Sequence, residues 1–303
     1  MQGWNVEDGQ SPTLESGQGS RLFGTAIRAA TMINFGWFSS GRDQAAIDLF
    51  RAAWQRLQSG FIPGRLAYVF CDREPGETPA SDRFLAAVRA AGVPLIINSS
   101  RKLRRLVKKH PPDLEAFREG FDLETIALVK DFDVEIVVLA GYMLILSEAL
   151  CQAFLCLNLH PAIPGGPKGT WQEVMWQLMA EDAQEAGGMM HLATPELDAG
   201  PPVAYFHFAL RGPVFEPLWE QFRRKLQAQT LKQIQTREGE AEPLFARIRA
   251  EELRREFPLI LLTLKNLAAG RFRLTRHGAD VAGKIAPAGF DLTAQVEEFL
   301  KQS

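Results

Sequence analysis

The stretch Val134–Met143, VEIVVLAGYM, decides the fold. Its Ile-Val-Val-Leu-Ala run has no polar alternation, so it reads as a strand covered on both faces, as parallel strands are. Upstream, short apolar runs alternate with helical patterns. TMINFGWF (31–38), LAYVFCD (66–72) and VPLIINS (93–99) read as strands. QAAIDLFRAAWQRL (44–57), SDRFLAAVRAAG (81–92) and LETIALVKDF (123–132) read as helices, the second closed by Gly92. Strand and helix repeated in this order predict an α/β fold with a doubly wound, mostly parallel sheet.

Downstream, CLNLHPAIPGGPKG (156–169) leaves a strand for a Gly/Pro-rich loop, and GTWQEVMWQLMAED (169–182) reads as a helix. AGGMMHLAT (186–194) and PPVAYFHFAL (201–210) are extended runs joined by the turn PELDAG, which predicts an antiparallel addition at the sheet edge. Residues 216–256 are helical and strongly charged. Their Arg and Lys are interspersed with Glu, the pattern of a solvated helix face without a site-like cluster. PLILLTLKNLAAGR (258–271) resumes an apolar helix closed by Gly270, followed by a short strand (RFRLT), the loop AGKIAPAGF and a last helix.

With 46% hydrophobic and 23% charged residues, a chain of 303 residues can bury a substantial core. A net charge of −2 gives no reason to expect nucleic acid or an anionic membrane as partner. No apolar run approaches the roughly 20 residues of a spanning helix. Residues 1–20 are polar and acidic, unlike a signal peptide, and read as a loose tail ahead of one domain over 21–303. Three cysteines, Cys71, Cys151 and Cys156, fit reduced thiols in the cytoplasm better than a disulfide framework. Neither they nor His110, His160, His191, His207 and His277 show metal-ligand spacing, so no metal is expected.

Asn158 and His160 sit two apart, so on a strand both side chains face the same way. Pro161 then ends the strand and holds His160 extended. Two more polar positions fall beside apolar strands, His191 and Asp198. A His near a carboxylate serves as a cation or general acid near neutral pH, and an Asn amide adds a neutral donor. Together they suit an oxyanion. Taken alone, His191 in MMHLA reads as a satisfied core histidine, and Asp198 before Ala-Gly as a turn residue. The Asn158/His160 pair is harder to place that way, because unsatisfied polar groups are costly to bury. No Ser or Cys sits on a nucleophile elbow and Ser39-Ser40-Gly41 is no Walker loop, so the attacking group belongs to a substrate.

In order along residues 31–290, VVLAGYMLIL (137–146), NLHPAIPGGPKG (158–169), GGMMHLATPELDAGP (187–201) and KIAPAGF (284–290) resemble the glycinamide ribonucleotide formyltransferase family. The resemblance implies transfer of a formyl group from 10-formyltetrahydrofolate, the co-substrate, to a small-molecule amine. Its first expectation is glycinamide ribonucleotide, in de novo purine biosynthesis. By resemblance Asn158, His160 and Asp198 are the catalytic trio and His191 supports them. Tyr142, Met143, Leu144, Ile145 and Leu146, with Thr194, Glu196 and Leu197, match the loops that hold the pterin, largely by backbone.

On the acceptor side the counterparts are Ser40, Gly41, Arg42 and Asp43, with Glu252 matching, one residue out of register, an acid that contacts the acceptor's ribose. Here the chain departs from the family. Asp43 and Gln44 replace the small residues of a phosphate cradle, where an acid repels phosphate and Arg42 could compensate. Leu144 replaces an Arg and Ala162 a Ser, and a charged helical insertion covers about 216–245. The insertion could cover the acceptor side of the cleft or mediate a homodimer. Other amines such as an amino sugar, transfer to water, and a catalytically idle folate-binding homologue stay open.

Overall fold

The structure, a computed structural model, describes residues 32–101 and 114–302. The tail reading of 1–20, and His110, lie outside the described residues. Strands β1 (Ile33–Ser39), β2 (Gly64–Cys71) and β3 (Leu95–Ile97) run parallel, and β4 (Ile136–Leu139) and β5 (Leu155–His160) lie parallel on the other side of β1. β6 (Glu185–Leu192) adds antiparallel to β5, and β7 (Pro202–Ala209) antiparallel to β6. A small antiparallel sheet of β8 (Arg273–Thr275), β9 (Gly278–Val281) and β10 (Lys284–Ile285) follows. β11 (Phe290–Asp291) then closes the main sheet, whose order is β11-β7-β6-β5-β4-β1-β2-β3. The winding direction reverses between β1 and β4. In such sheets ligands bind beyond the carboxyl ends of the strands at that point.

The helices are α1 (Gln44–Gln58), α2 (Pro79–Ala91), α3 (Leu114–Val129), α4 (Glu148–Ala153), α5 (Trp171–Ala180), α6 (Glu216–Ala228), α7 (Leu231–Glu238), α8 (Pro243–Ala268) and α9 (Thr293–Gln302). The strand pleat sends Ile136 and Val138 into one core with α1, α2, α9 and the second half of α8, and Val137 and Leu139 into another with α3 and α4. This two-sided burial is why β4 reads as an unbroken apolar run. A third core joins α5, α6, α7 and the first half of α8 around Trp219, Phe222 and Phe245.

Several boundaries differ from the sequence reading. β4 stops at Leu139, because Gly141 (φ +68°) turns the chain and its carbonyl accepts from Ser40 N. β3 shrinks to three residues at the sheet edge. α3 starts nine residues before Leu123, since Phe117 and Phe121, four apart and buried, extend the apolar stripe towards the N-terminus. α4 was not anticipated; Ser147 Oγ caps it by accepting from Leu150 N.

The largest correction concerns α8. Pro258 does not separate two helices; α8 runs through it for 26 residues. A helix-interior proline costs about 3 kcal/mol. Buried Leu259, Ile260, Leu261, Leu262 and Leu264 offset this, each contributing roughly 1.5–3 kcal/mol. Nor is the charged run simply a solvated face, since Glu242, Glu251, Glu252, Arg255 and Glu256 are buried.

Candidate active site

The loops after β1 and β4 meet at the reversal point. Ser40 N donates to Gly141 O (3.1 Å), and Met143 N donates to Ser40 Oγ (3.1 Å). A cavity of about 300 Å³ opens there, lined by Arg42, Asp43, Trp171, Arg249 and Glu256 among others. A second cavity of about 240 Å³ is lined by Tyr142 through Leu146, His191, Thr194, Leu197 and Asp198. The two share a wall of Leu139, Tyr142, Met143, Asn158 and Leu159. Asn158 is the polar side chain of the cluster that faces both.

The β5–β6 register sets Asn158 directly opposite His191. His191 Nδ1 donates to Leu192 O (2.9 Å), which leaves Nε2 as a lone pair 3.2 Å from Asn158 Nδ2. Burial pushes the His191 pKa below its ordinary 6.5, so the ring is neutral in this role. Unfolded chains protonate first as the pH falls; His191's contribution to stability is therefore present above about pH 6.5 and lost below it. One N–H of Asn158 is thus engaged, and the amide is oriented with the other to spare.

His160 is buried between two acceptors. Its Nε2 lies 2.8 Å from Pro167 O, and its Nδ1 lies 3.4 Å from Asp198 Oδ2. A ring carrying both protons satisfies both neighbours. Asp198 Oδ1 is also 3.7 Å from His191 Nε2, so one carboxylate faces both imidazoles. Its backbone is left-handed (φ +52°), a conformation Asp tolerates better than most residues. Gly200 closes the turn where a Cβ would lie 1.7 Å from Leu192 O, the acceptor of His191. Gly200→Ala is expected to displace the Asp198 turn and destabilise the fold by about 3 kcal/mol or more. Thermal unfolding of that variant checks it; an unchanged melting temperature would contradict the packing described.

The remaining sequence candidates divide. Arg42 and Asp43 line the first cavity; Arg42 Nη1 contacts Met143 Sδ at 2.8 Å, and Asp43 is the N-cap of α1, accepting from Ala46 N. Ser40 and Gly41 are buried behind it. Thr194 and Leu197 line the second cavity, whereas Glu196 is exposed and its carbonyl accepts from Thr194 Oγ1. His160 and Glu252 line neither cavity. Trp171, Arg249, Glu256, Phe257 and Ile260 were not anticipated. The only hint was a charged helix running straight into an apolar one. Among the described residues, no group of three or more His, Cys, Asp or Glu could hold a metal, and no helix is long and apolar enough to cross a membrane.

The span that holds Asn158, His160, His191 and Asp198 also carries the relationship to known proteins. Residues 87–209 match the formyl transferase family model. This part of the chain is similar to the formyl transferase family. Within that relationship, the phosphoribosylglycinamide formyltransferase of Escherichia coli is 36% identical over 86 residues, 28% of this chain and 40% of that protein. That of Saccharomyces cerevisiae is 32% identical over 93 residues, 28% of this chain and 44% of that protein. The match thus spans less than half the length of either relative. The solved phosphoribosylglycinamide formyltransferase of Coxiella burnetii shares the fold, with a TM-score of 0.57 at 19% identity over 86% of this chain and 99% of that one. The formyl transferase span includes the second cavity's loops, whereas Arg42, Asp43, Arg249 and Glu256 fall outside it.

Proposed function

We propose that this protein transfers a formyl group from 10-formyltetrahydrofolate to a primary amine, with glycinamide ribonucleotide, the purine-synthesis acceptor, as first candidate. The observation that carries this reading is Asn158 on the wall common to two cavities, its amide aimed by a neutral histidine. A group transferred between two substrates has to pass such a wall.

The second cavity suits the folate. Leu139, Leu144, Ile145, Leu146 and Leu159 give it apolar surface for a flat ring, and the irregular 140–146 loop offers backbone groups to the ring's polar edge. The amine enters from the first cavity. As it attacks the formyl carbon, negative charge develops on the formyl oxygen, and Asn158 donates its free N–H there. His160 holds its second proton against Asp198 and exchanges Pro167 O for the oxyanion when substrate is bound. Asp198 keeps that imidazole charged and oriented, and assists proton passage to the folate nitrogen. Asn158, His160 and Asp198 are the catalytic residues of this proposal, with His191 positioning Asn158. The protein works in the cytoplasm, and its charged helical segment is a candidate homodimer surface.

The test is a spectrophotometric assay of folate deformylation, with and without glycinamide ribonucleotide. Acceptor-dependent release is expected. Donor binding without acceptor-dependent release would remove glycinamide ribonucleotide and move the search to amines such as amino sugars. Failure to bind the donor would overturn the reading.

A further inference from the structure

One buried charged cluster on the acceptor side has no part in that mechanism. Arg249 donates through Nη1 to Glu252 Oε2 (2.9 Å) and to Glu256 Oε1 (2.5 Å), and its guanidinium lies 4.7 Å over the Trp171 ring. Two carboxylates therefore share one cation. Glu252 is fully buried, and its Oε1 has no hydrogen-bond partner. Glu256 lines the first cavity, the one Asn158 also lines, together with the apolar residues Phe257, Ile260 and Leu49. Its hydrogen bonds run through Oε1 to Arg249, and no donor among the described residues reaches Oε2. A carboxylate placed in an apolar ligand cavity with half a cation's attention is costly unless a further cation meets it there. At about 300 Å³ the cavity is at the small end for ligand sites, so one small molecule spans it.

An aliphatic amine arrives at neutral pH as an ammonium, and only its deprotonated form has the lone pair that attacks a formyl carbon. Resting on the formyl-transfer reading, we propose that Glu256 binds the acceptor's ammonium through Oε2 and takes its proton before attack. An N–H bond breaks, its electron pair stays on nitrogen, and the proton goes to Oε2. The neutral amine then forms the C–N bond to the formyl carbon. On collapse the bond from that carbon to the folate nitrogen breaks, and the nitrogen receives the amine's second proton. Glu256 returns its proton to solvent after the product leaves.

Burial raises the Glu256 carboxyl above its ordinary 4.5, against the opposing pull of Arg249, which suits a base working near neutrality. The charged groups around it are Arg249 and Glu252 on its own helix, and Arg42 and Asp43 from the loop after β1 on the same cavity wall. Tyr142, the other titratable lining group, stays neutral because burial pushes its pKa up. Below the carboxyl's pKa, Glu256 holds a proton and cannot accept another. Above the amine's own pKa, no base is needed.

The test compares Glu256→Gln and Glu256→Asp with the parent. Gln keeps an oxygen for Arg249, so the fold is retained. At pH 7 the Gln variant is expected to lose about 10²-fold in kcat/KM for glycinamide ribonucleotide. That deficit should shrink as the pH rises towards the pKa of the amine, and Asp should restore the parental pH profile. A deficit constant with pH would mark a merely structural role and overturn the proposal. Binding is measured separately by titrating glycinamide ribonucleotide into parent and Glu256→Gln without a folate, with at least tenfold weaker affinity expected for Gln. Equal affinities, or no binding to either, overturn the proposal whether or not formyl transfer is seen. Absence of formyl transfer together with Glu256-dependent binding would instead overturn only the catalytic reading.

Discussion

Asn158→Ala is expected to lower kcat for formyl transfer by about 10²–10³-fold, the usual loss when one oxyanion donor is removed. The position makes this a clean experiment. Asn158 is partly exposed on the wall shared by both cavities, so truncation removes an amide without opening a void in the main core. Its one described side-chain hydrogen bond is to His191 Nε2. Losing it leaves a ring lone pair unpaired, at a cost of roughly 1–3 kcal/mol if no water replaces it. Stability should therefore fall modestly while kcat collapses, and donor affinity should change little because the Tyr142–Leu146 loop is untouched. Steady-state kinetics alongside a folate titration separate the two effects. A variant with near-parental kcat would remove Asn158 from the mechanism.

Asp198→Asn should cost a similar factor, about 10²–10³ in kcat. Asparagine tolerates the left-handed backbone that Asp198 adopts, so the turn survives. What disappears is the negative charge facing His160 Nδ1 at 3.4 Å and His191 Nε2 at 3.7 Å. Without it nothing holds the second proton on His160 near the developing oxyanion. Asp198→Ala should be slower still and less stable, because alanine adds backbone strain of about 1–3 kcal/mol at a positive φ. Comparing the two variants in kinetics and thermal melts isolates charge from strain. If Asn keeps near-parental activity while Ala loses it, the turn rather than the charge is what matters.

Much of the architecture was legible because it is written locally. The Ile136–Leu139 run, the Gly92 helix stop and the Pro161 strand end each follow from residues within a few positions. Asn158, His160, His191 and Asp198 could be picked out for the same reason, as polar residues in apolar surroundings. Their partnership could not be seen. Asn158 meets His191 only because the β5–β6 register sets them opposite, and the carbonyls of Pro167 and Leu192 carry no sequence signal at all. Residues 243–268 misled most, since alternating Arg and Glu suggest a wet surface and Pro258 a break.

By itself, then, the sequence determined the order of strands and helices, the doubly wound class and the identity of the polar residues at the strand ends. Hydrophobic periodicity and turn chemistry act over a few residues. Only the tertiary structure decided that Glu252 and Glu256 are buried around a half-buried Arg249, and that Glu256 shares a cavity with Asn158 from 98 positions away. Whether a charge is solvated or enclosed depends on what packs over it. Here Trp171, Arg249 and the second half of α8 do so, and no local pattern could anticipate them.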